Sequence, residues 1–427
     1  MTLTVPAFQK RLANAPSFVV PVFAAIVAFL TYSCMYAFRK PYTSATFDGI
    51  TAFGINYKIL LVIAQTIGYT LSKFLGIKVI AEMKQHRRAV AIIGLIGFAW
   101  LMLLFFGLAP RPYNIVFLFL NGIPLGLIWG LVYSYIEGRR ATEFMGAVLA
   151  VSFIFSSGLV KSVGKWLVVD IHISEFWMPF FAGLIFIVPI IILVFLLEQI
   201  PPPTAMDIEL RTKRLPMTAQ QRKDFVMSFL PGILMLVVTY VMLSVMRDFR
   251  DNFGADIWKE AGFGKSPEIF TTTEIPTSIL VLVMMSLVML IKDNFKALVV
   301  NHAMVIIGFA LALISTFLFS IHAIGAIPWM ICNGLGLYMG YIPFNVMLFE
   351  RMIASFKRPA NVGFLIYISD SFAYLGSICI LLYKNFGQHN LSWISFFSTM
   401  VYIVCSVGIV FTIFSQLYFN KKKHLTS

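Results

Sequence analysis

A few ionisable side chains set inside otherwise apolar stretches carry the chemical content of this sequence. They are Arg39 and Lys40 in the first stretch, Lys73 in the second and Lys161 and Lys165 in the fifth. Arg247, Asp248, Arg250 and Asp251 follow in the seventh, and Asp370 in the eleventh. A charge at bilayer depth is expensive and persists where it meets a partner or a water-accessible path, so these residues are the candidates for handling a polar solute. Arg39 and Arg247 fall at similar depth in the opening stretches of two halves of the chain. Facing one another across a central cavity, two guanidiniums would present planar donor forks to one phosphate or carboxylate. The competing expectation is that both snorkel to the outer interface.

Tyr36 precedes Arg39 by three positions, nearly the same helical face, and offers a hydroxyl beside the guanidinium. Lys73 lies near the middle of its stretch, where snorkelling is hardest, and Lys161 extends a cationic lining, whereas Lys165 reads as structural. Asp370 is the lone carboxylate deep in the eleventh stretch, suited either to balance a cavity arginine or to carry a proton. Asp251 stands four positions after Arg247, the spacing of a same-face ion pair that would occupy that arginine.

Soluble-enzyme chemistry has no foothold. The sequence has no Walker motif, dinucleotide fingerprint, nucleophile elbow or His-Glu-x-x-His pair. Its six histidines are scattered, and Cys34, Cys332, Cys379 and Cys405 all lie in apolar stretches as packing residues. We therefore expect no enzymatic activity, no cofactor and no metal.

The elements that must position these residues follow from composition. Of the 427 residues 59% are hydrophobic and 12% charged, about half the charge of a soluble domain. Apolar runs long enough to cross roughly 30 Å of hydrocarbon recur throughout. Twelve spans are expected, at 17–45, 57–79, 89–109, 113–136, 146–169, 176–198, 227–254, 272–291, 297–319, 323–349, 361–383 and 392–418. The ninth and tenth part near Ser320 and His322. This predicts an all-α membrane protein with a six-helix half at 1–198, a cytoplasmic linker at 199–226 rich in proline, and a second six-helix half at 227–427. Asn121-Gly122 and Asn333-Gly334 at corresponding places, and Gly146 aligned with Gly363, form a weak internal echo of the two halves.

Lysine and arginine bias orients the chain. One set of loops holds Lys10, Arg11, Lys84, Arg87, Arg88, Arg139, Arg140, Arg211, Lys213, Arg214, Arg222, Lys223, Lys292, Lys296, Arg351, Lys357, Arg358 and Lys421 to Lys423. The other set holds Arg111, Lys259, Lys265 and Lys384. Both termini are expected in the cytoplasm, with the protein multi-pass in an inner membrane. The net charge of +14 is then spent on orientation and on anionic lipid head groups, with no nucleic-acid partner required.

Four segments resemble the major facilitator superfamily and, within it, the organophosphate:phosphate antiporters. These are Tyr36-Ala37-Phe38-Arg39-Lys40-Pro41, Gly68-Tyr69-Thr70-Leu71-Ser72-Lys73-Phe74, Asn121-Gly122 through Gly126 and Trp129, and Arg247 to Lys259-Glu260. The resemblance implies a twelve-helix, pseudo-symmetric alternating-access transporter whose Arg39 and Arg247 clamp a phosphate. The loop Glu82-Met83-Lys84-Gln85-His86-Arg87-Arg88 departs from the superfamily's Asp-Arg-x-Gly-Arg, as does the charged Asp248-Phe249-Arg250-Asp251, so the likeness is to a divergent bacterial branch. The expected function is exchange of a small organic anion, such as a phosphate ester, for inorganic phosphate, by a protein that works as a monomer. The alternatives are proton-coupled symport of a non-phosphorylated acid or sugar through Asp370, or a non-transporting sensor or scaffold docking through the basic central loop.

Overall fold

The computed structural model describes residues 4–83, 87–139, 141–204, 207, 219–356, 362–388 and 390–426. The loop charges Lys84, Arg140, Arg211, Lys213, Arg214, Lys357 and Arg358 lie outside the described residues, as does the side chain of Arg222. The chain forms two compact units, Met1–Arg211 with Asn252–Ile275, and Thr212–Asp251 with Pro276–Ser427.

The first unit is built from α1 (Pro6–Ala13), α2 (Val19–Tyr36), α3 (Tyr57–Glu82), α4 (Arg88–Leu108), α5 (Ile115–Ile136), α6 (Thr142–Val169) and α7 (Met178–Glu198). α8 (Ala219–Ser228) and α9 (Leu230–Asn252) follow, and α10 (Gly254–Glu260) with the first turns of α11 (Ile269–Met289) returns to the first unit. The second unit continues through α12 (Asn294–Ser320), α13 (Ala326–Val346), α14 (Leu348–Ser355), α15 (Val362–Phe386) and α16 (Trp393–Thr426).

Among the described residues nine helices, α2, α4 to α7, α9, α11, α12 and α16, are long and apolar enough to cross a membrane. α3, α13 and α15 fall at the other three expected places and carry polar residues. Lys58, Gln65 and Lys73 lie on α3, Asn333 and Asn345 on α13, and Asp370 and Lys384 on α15. The helices also carry bare apolar side chains on their outer surfaces, including Val188 at 61% exposure, Leu287 at 60% and Ile403 at 60%. Spread over several helices, such surface would aggregate in water and is stable against lipid tails. The chain is an all-α, multi-pass membrane protein.

Several expected boundaries move. The first span does not run to residue 45: α2 stops at Tyr36, and a 3-10 turn at Pro41–Ser44 follows. The stretch 227–254 breaks at Phe253, and 323–349 divides between α13 and α14. The close-set ninth and tenth spans do part after Ser320, where His322 takes φ 58° in the turn. A two-residue hairpin pairs Thr51 with Asn56 and Ala52 with Ile55, and its turn at Phe53 and Gly54 uses φ of 53° and 73°, a left-handed pair that glycine adopts without strain. α1 is tied to the end of α7, since Val5 N donates to Gln199 at 2.8 Å and Gln9 Nε2 to the Glu198 carbonyl at 2.9 Å.

Helix contacts within each unit use small residues. On α5 a Cβ at Gly122 would collide with the Gln65 carbonyl of α3, and on α12 a Cβ at Gly308 would collide with the Gly336 carbonyl of α13. In lipid, where burial of apolar surface offers little gain, backbone approach of this kind supplies the packing.

Candidate functional site

In the first unit the early end of α2 decides the site. Carbonyls beyond a helix end lose their i+4 donors, and no bulk water replaces them at membrane depth. Side-chain amides do so here. Asn121 Nδ2 donates to the Phe38 carbonyl at 3.0 Å and to the Ala99 carbonyl at 2.9 Å. Gln65 Nε2 donates to the Arg39 carbonyl at 2.9 Å and to Asn121 Oδ1 at 2.9 Å, while Tyr42 Oη donates to Gln65 Oε1 at 3.2 Å. The non-helical segment carrying Arg39 is thereby fixed by α3 and α5. Gln65→Leu is expected to strip both acceptors of their donor and to cost about 1–3 kcal/mol, read as a lowered midpoint in thermal denaturation of the detergent-solubilised protein.

Held in this way, the Arg39 guanidinium carbon lies 3.8 Å from the Tyr69 ring centre and 5.8 Å from that of Tyr36. Lys73 Nζ is 5.6 Å from the same Tyr69 ring. Tyr36, Arg39 and Lys73 are thus gathered around one tyrosine. A guanidinium face on a ring gains cation–π attraction while its N–H edge points sideways, the geometry for recognising an anion or a polyol. Lys161, on α6, is 4% exposed, with Nζ 5.9 Å from the ring of Phe270.

The second unit holds its own cluster. Arg247 stacks over Tyr341 at 4.0 Å, and its Nη2 meets Asp248 Oδ1 at 2.5 Å. Asp248 supplies a carboxylate that meets Arg247, and Asp251, the i+4 neighbour, follows half-buried in the last turn of α9. Neighbouring helical residues diverge by about 100°, so this pairing relies on the length of the arginine stem. Ser377 Oγ donates to the other Asp248 oxygen at 2.8 Å. Tyr240 stacks on Tyr341 with ring centres 5.4 Å apart, and its hydroxyl donates to Asp370 Oδ1 at 2.5 Å. Asp370 is 7% exposed. Stacked tyrosines thus bring Arg247 and Asp370 into one polar cluster. Arg250 has a structural place, with Nη2 donating to the Met330 carbonyl at 3.0 Å and its guanidinium filling the room that Gly334 leaves.

Four polar residues of the first unit were missed in the sequence. Lys58 and Asp256 form a buried ion pair, Nζ to Oδ2 2.5 Å, and Lys40 Nζ donates to Asn252 Oδ1 at 2.7 Å. Glu274, 8% exposed, runs across Gly158 of α6. Their partners are too remote in the chain for any spacing to reveal. In the loop after α2, Lys259 donates to Asp48, which holds that carboxyl below the ordinary carboxylate range. Among the described residues no group of three or more His, Cys, Asp or Glu could hold a metal ion.

The sequence family described as a family of unknown function, DUF5690, matches residues 41–422. No curated protein matches the sequence. Solved structures do match in fold. A variant of the nucleoside transporter NupG aligns with TM-score 0.60 and 11% identity, over 93% of this chain and 99% of that one. A D-xylose-proton symporter aligns with TM-score 0.59 and 15% identity, over 94% and 97%. A bacterial homologue of the human lysosomal transporter Spinster, inward-facing and unoccupied, aligns with TM-score 0.59 and 11% identity, over 96% and 98%. At such identities the likeness is one of fold alone. The organophosphate:phosphate branch is not among these three.

Proposed function

Because this chain belongs to the DUF5690 family and carries the major facilitator fold, we propose that it is a secondary active transporter of a small organic solute, working by alternating access. In this reading residues 1–198 and 227–427 are two six-span halves joined by the cytoplasmic linker 199–226. The protein sits in an inner membrane with both termini cytoplasmic, as the loop charges favour, and works as a monomer.

The coupling ion is a proton and its carrier is Asp370. The observation that carries this reading is a buried carboxylate within hydrogen-bond reach of a tyrosine hydroxyl on a long helix of a membrane protein. The named neighbours include a proton symporter and a nucleoside transporter, which supports a non-phosphorylated solute such as a sugar or nucleoside. A second reading, exchange of an organic anion or phosphate ester for phosphate, is favoured by the gathering of Arg39 and Lys73 around Tyr69. The pairing of Arg247 with Asp248 weighs against two guanidiniums both serving a phosphate.

Uptake into proteoliposomes from a panel of pentoses, hexoses, nucleosides and sugar phosphates tests both. The expected result is saturable uptake of an unphosphorylated solute that stops when a protonophore collapses the gradient. Phosphate counterflow indifferent to the protonophore would support the second reading instead. Saturable binding without flux in either direction would remove transport and leave a sensor or scaffold.

A further inference from the structure

We propose that the cleft between α8, α14 and the end of α16 in the second unit holds one anionic phospholipid of the surrounding membrane. An acyl chain lies against the rings of the cleft, and the phosphate lies against Lys422 and Lys423. The site serves no step of the transport reading and does not rest on it.

The walls are aromatic and fixed. Phe225 and Phe229, at the junction of α8 and α9, have ring centres 5.3 Å apart. Phe229 and Phe356 are 5.0 Å apart, and Phe356 and Phe419 5.8 Å. α16 is drawn close at Gly232, where a Cβ would come within 2.6 Å of both the Tyr418 and the Phe419 ring. Tyr418 Oη also donates to the Ser228 carbonyl at 3.3 Å. A surface already held in place costs little to order when something binds.

The opening is lined by Phe225, Phe229, Met352, Ile353 and Phe356, and its empty volume is about 130 Å³. Pockets for soluble small molecules run to roughly 300–1,000 Å³ and place polar groups to orient the ligand. This cleft has neither that room nor a polar lining residue, so it suits a stretch of hydrocarbon.

Depth identifies the hydrocarbon. α9 enters its apolar span at Leu230, directly after Phe229, and the apolar run of α16 gives way to Lys421, Lys422 and Lys423. The cleft therefore lies where spanning helices meet the head groups, within reach of acyl chains. Met227 and Leu230, flanking Phe229 in the chain, are 60% and 40% exposed, apolar surface that lipid tails stabilise.

Charge selects among lipids. Lys422 Nζ is 5.6 Å from the Phe229 ring centre, and Lys423 Nζ donates to the Ser355 carbonyl at the end of α14 at 3.1 Å. Arg351 stands on α14, its Nη1 donating to Asn294 Oδ1 at 2.8 Å. These three cations outweigh the carboxylates of Asp224 on α8 and Glu350 on α14. Each lysine or arginine near an anionic membrane surface contributes roughly fivefold in affinity. Loop charge that only orients the chain needs no apolar cleft beside it. Here the cations rim one, which matches a lipid's division into phosphate and chain.

Native mass spectrometry of the full-length protein in detergent, titrated with phosphatidylglycerol or phosphatidylcholine, tests the site. The expected result is one phosphatidylglycerol held about tenfold or more tightly than phosphatidylcholine. Lys422→Gln with Lys423→Gln is expected to lower phosphatidylglycerol affinity by about tenfold or more and to leave phosphatidylcholine unchanged. Ile353→Trp keeps every charge and fills the cleft, and should weaken binding by about fivefold or more, the contact of one or two methylenes. Lys10→Gln with Arg11→Gln removes as much charge from α1 in the first unit and should leave the affinity as it was. Equal binding of the two lipids, or unchanged phosphatidylglycerol affinity in both monodisperse cleft variants, would overturn the site. An equal loss in the α1 variant would replace it with a diffuse field. Displacement of the lipid by millimolar inorganic phosphate would make it a site for a free anion and overturn the lipid assignment.

Discussion

Asp370→Asn is expected to abolish proton-driven accumulation while leaving solute exchange intact. The substitution keeps size and shape, and the amide oxygen can still accept the Tyr240 hydroxyl that lies 2.5 Å from Asp370 Oδ1. It removes the ability to take up and release a proton. A carboxylate at 7% exposure in a membrane-spanning bundle is costly to keep, and α15 would pack at least as well with an apolar residue there, so its retention calls for a use. Coupled transport needs that group in each cycle that carries a proton, whereas exchange of labelled for unlabelled solute does not. In proteoliposomes with an inward proton gradient, the variant should bring internal solute only to the external concentration. Counterflow should stay within about threefold of the unmodified protein, since the hydrogen bond is preserved. Should Asp370→Asn still accumulate solute uphill, the proton assignment fails. Should accumulation and counterflow vanish together in folded protein, Asp370 belongs to solute binding.

What the sequence revealed and what it withheld have physical causes. Long apolar runs need no partner to be recognised, so the nine long apolar helices among the described residues fall within stretches that hydropathy marks, though their ends do not always follow it, and Asp370 and Arg39 stand out because charges are rare in such runs. α3, α13 and α15 carry residues of the polar clusters, Lys73, Tyr341 and Asp370 among them. The end of α2 at Tyr36 was hidden by the residues after it, which are nearly as buried as a helix; Pro41 was the sole local sign of irregularity. What makes that early end tolerable is Gln65 and Asn121, two amides on other helices whose significance appears only once the fold brings them to the Phe38 and Arg39 carbonyls. Helix periodicity points to Asp251 at i+4 and is silent on Asp248, whose contact with Arg247 depends on the reach of an arginine stem. The Lys58–Asp256 pair spans nearly half the chain. No spacing rule joins residues so far apart, and neither stands out alone at the margin of its stretch.

Arg39→Lys is expected to weaken solute binding by about tenfold or more in correctly inserted protein, the loss of one hydrogen bond made by a charged group. The substitution keeps the charge, so an interaction that depended on charge alone would survive it. What is lost is the flat guanidinium that lies 3.8 Å from the centre of Tyr69, and with it the fixed direction of its N–H edge. A lysine ammonium would seek water along a flexible stem instead. Backbone supports should persist, because Gln65 and Asn121 hold main-chain carbonyls whatever side chain follows. The thermal midpoint of Arg39→Lys should therefore move less than that of Gln65→Leu, which strikes those supports directly. Arg247→Lys should bind more nearly like the unmodified protein, since Asp248 already meets that charge at 2.5 Å. A double-mutant cycle measures whether one solute engages both arginines: coupling above about 0.5 kcal/mol would mean that it does, and additivity would assign them separate roles. Binding measured per monodisperse molecule separates these results from losses of folded protein. Unchanged affinity in Arg39→Lys would take Arg39 out of solute recognition and leave its stack on Tyr69 as packing.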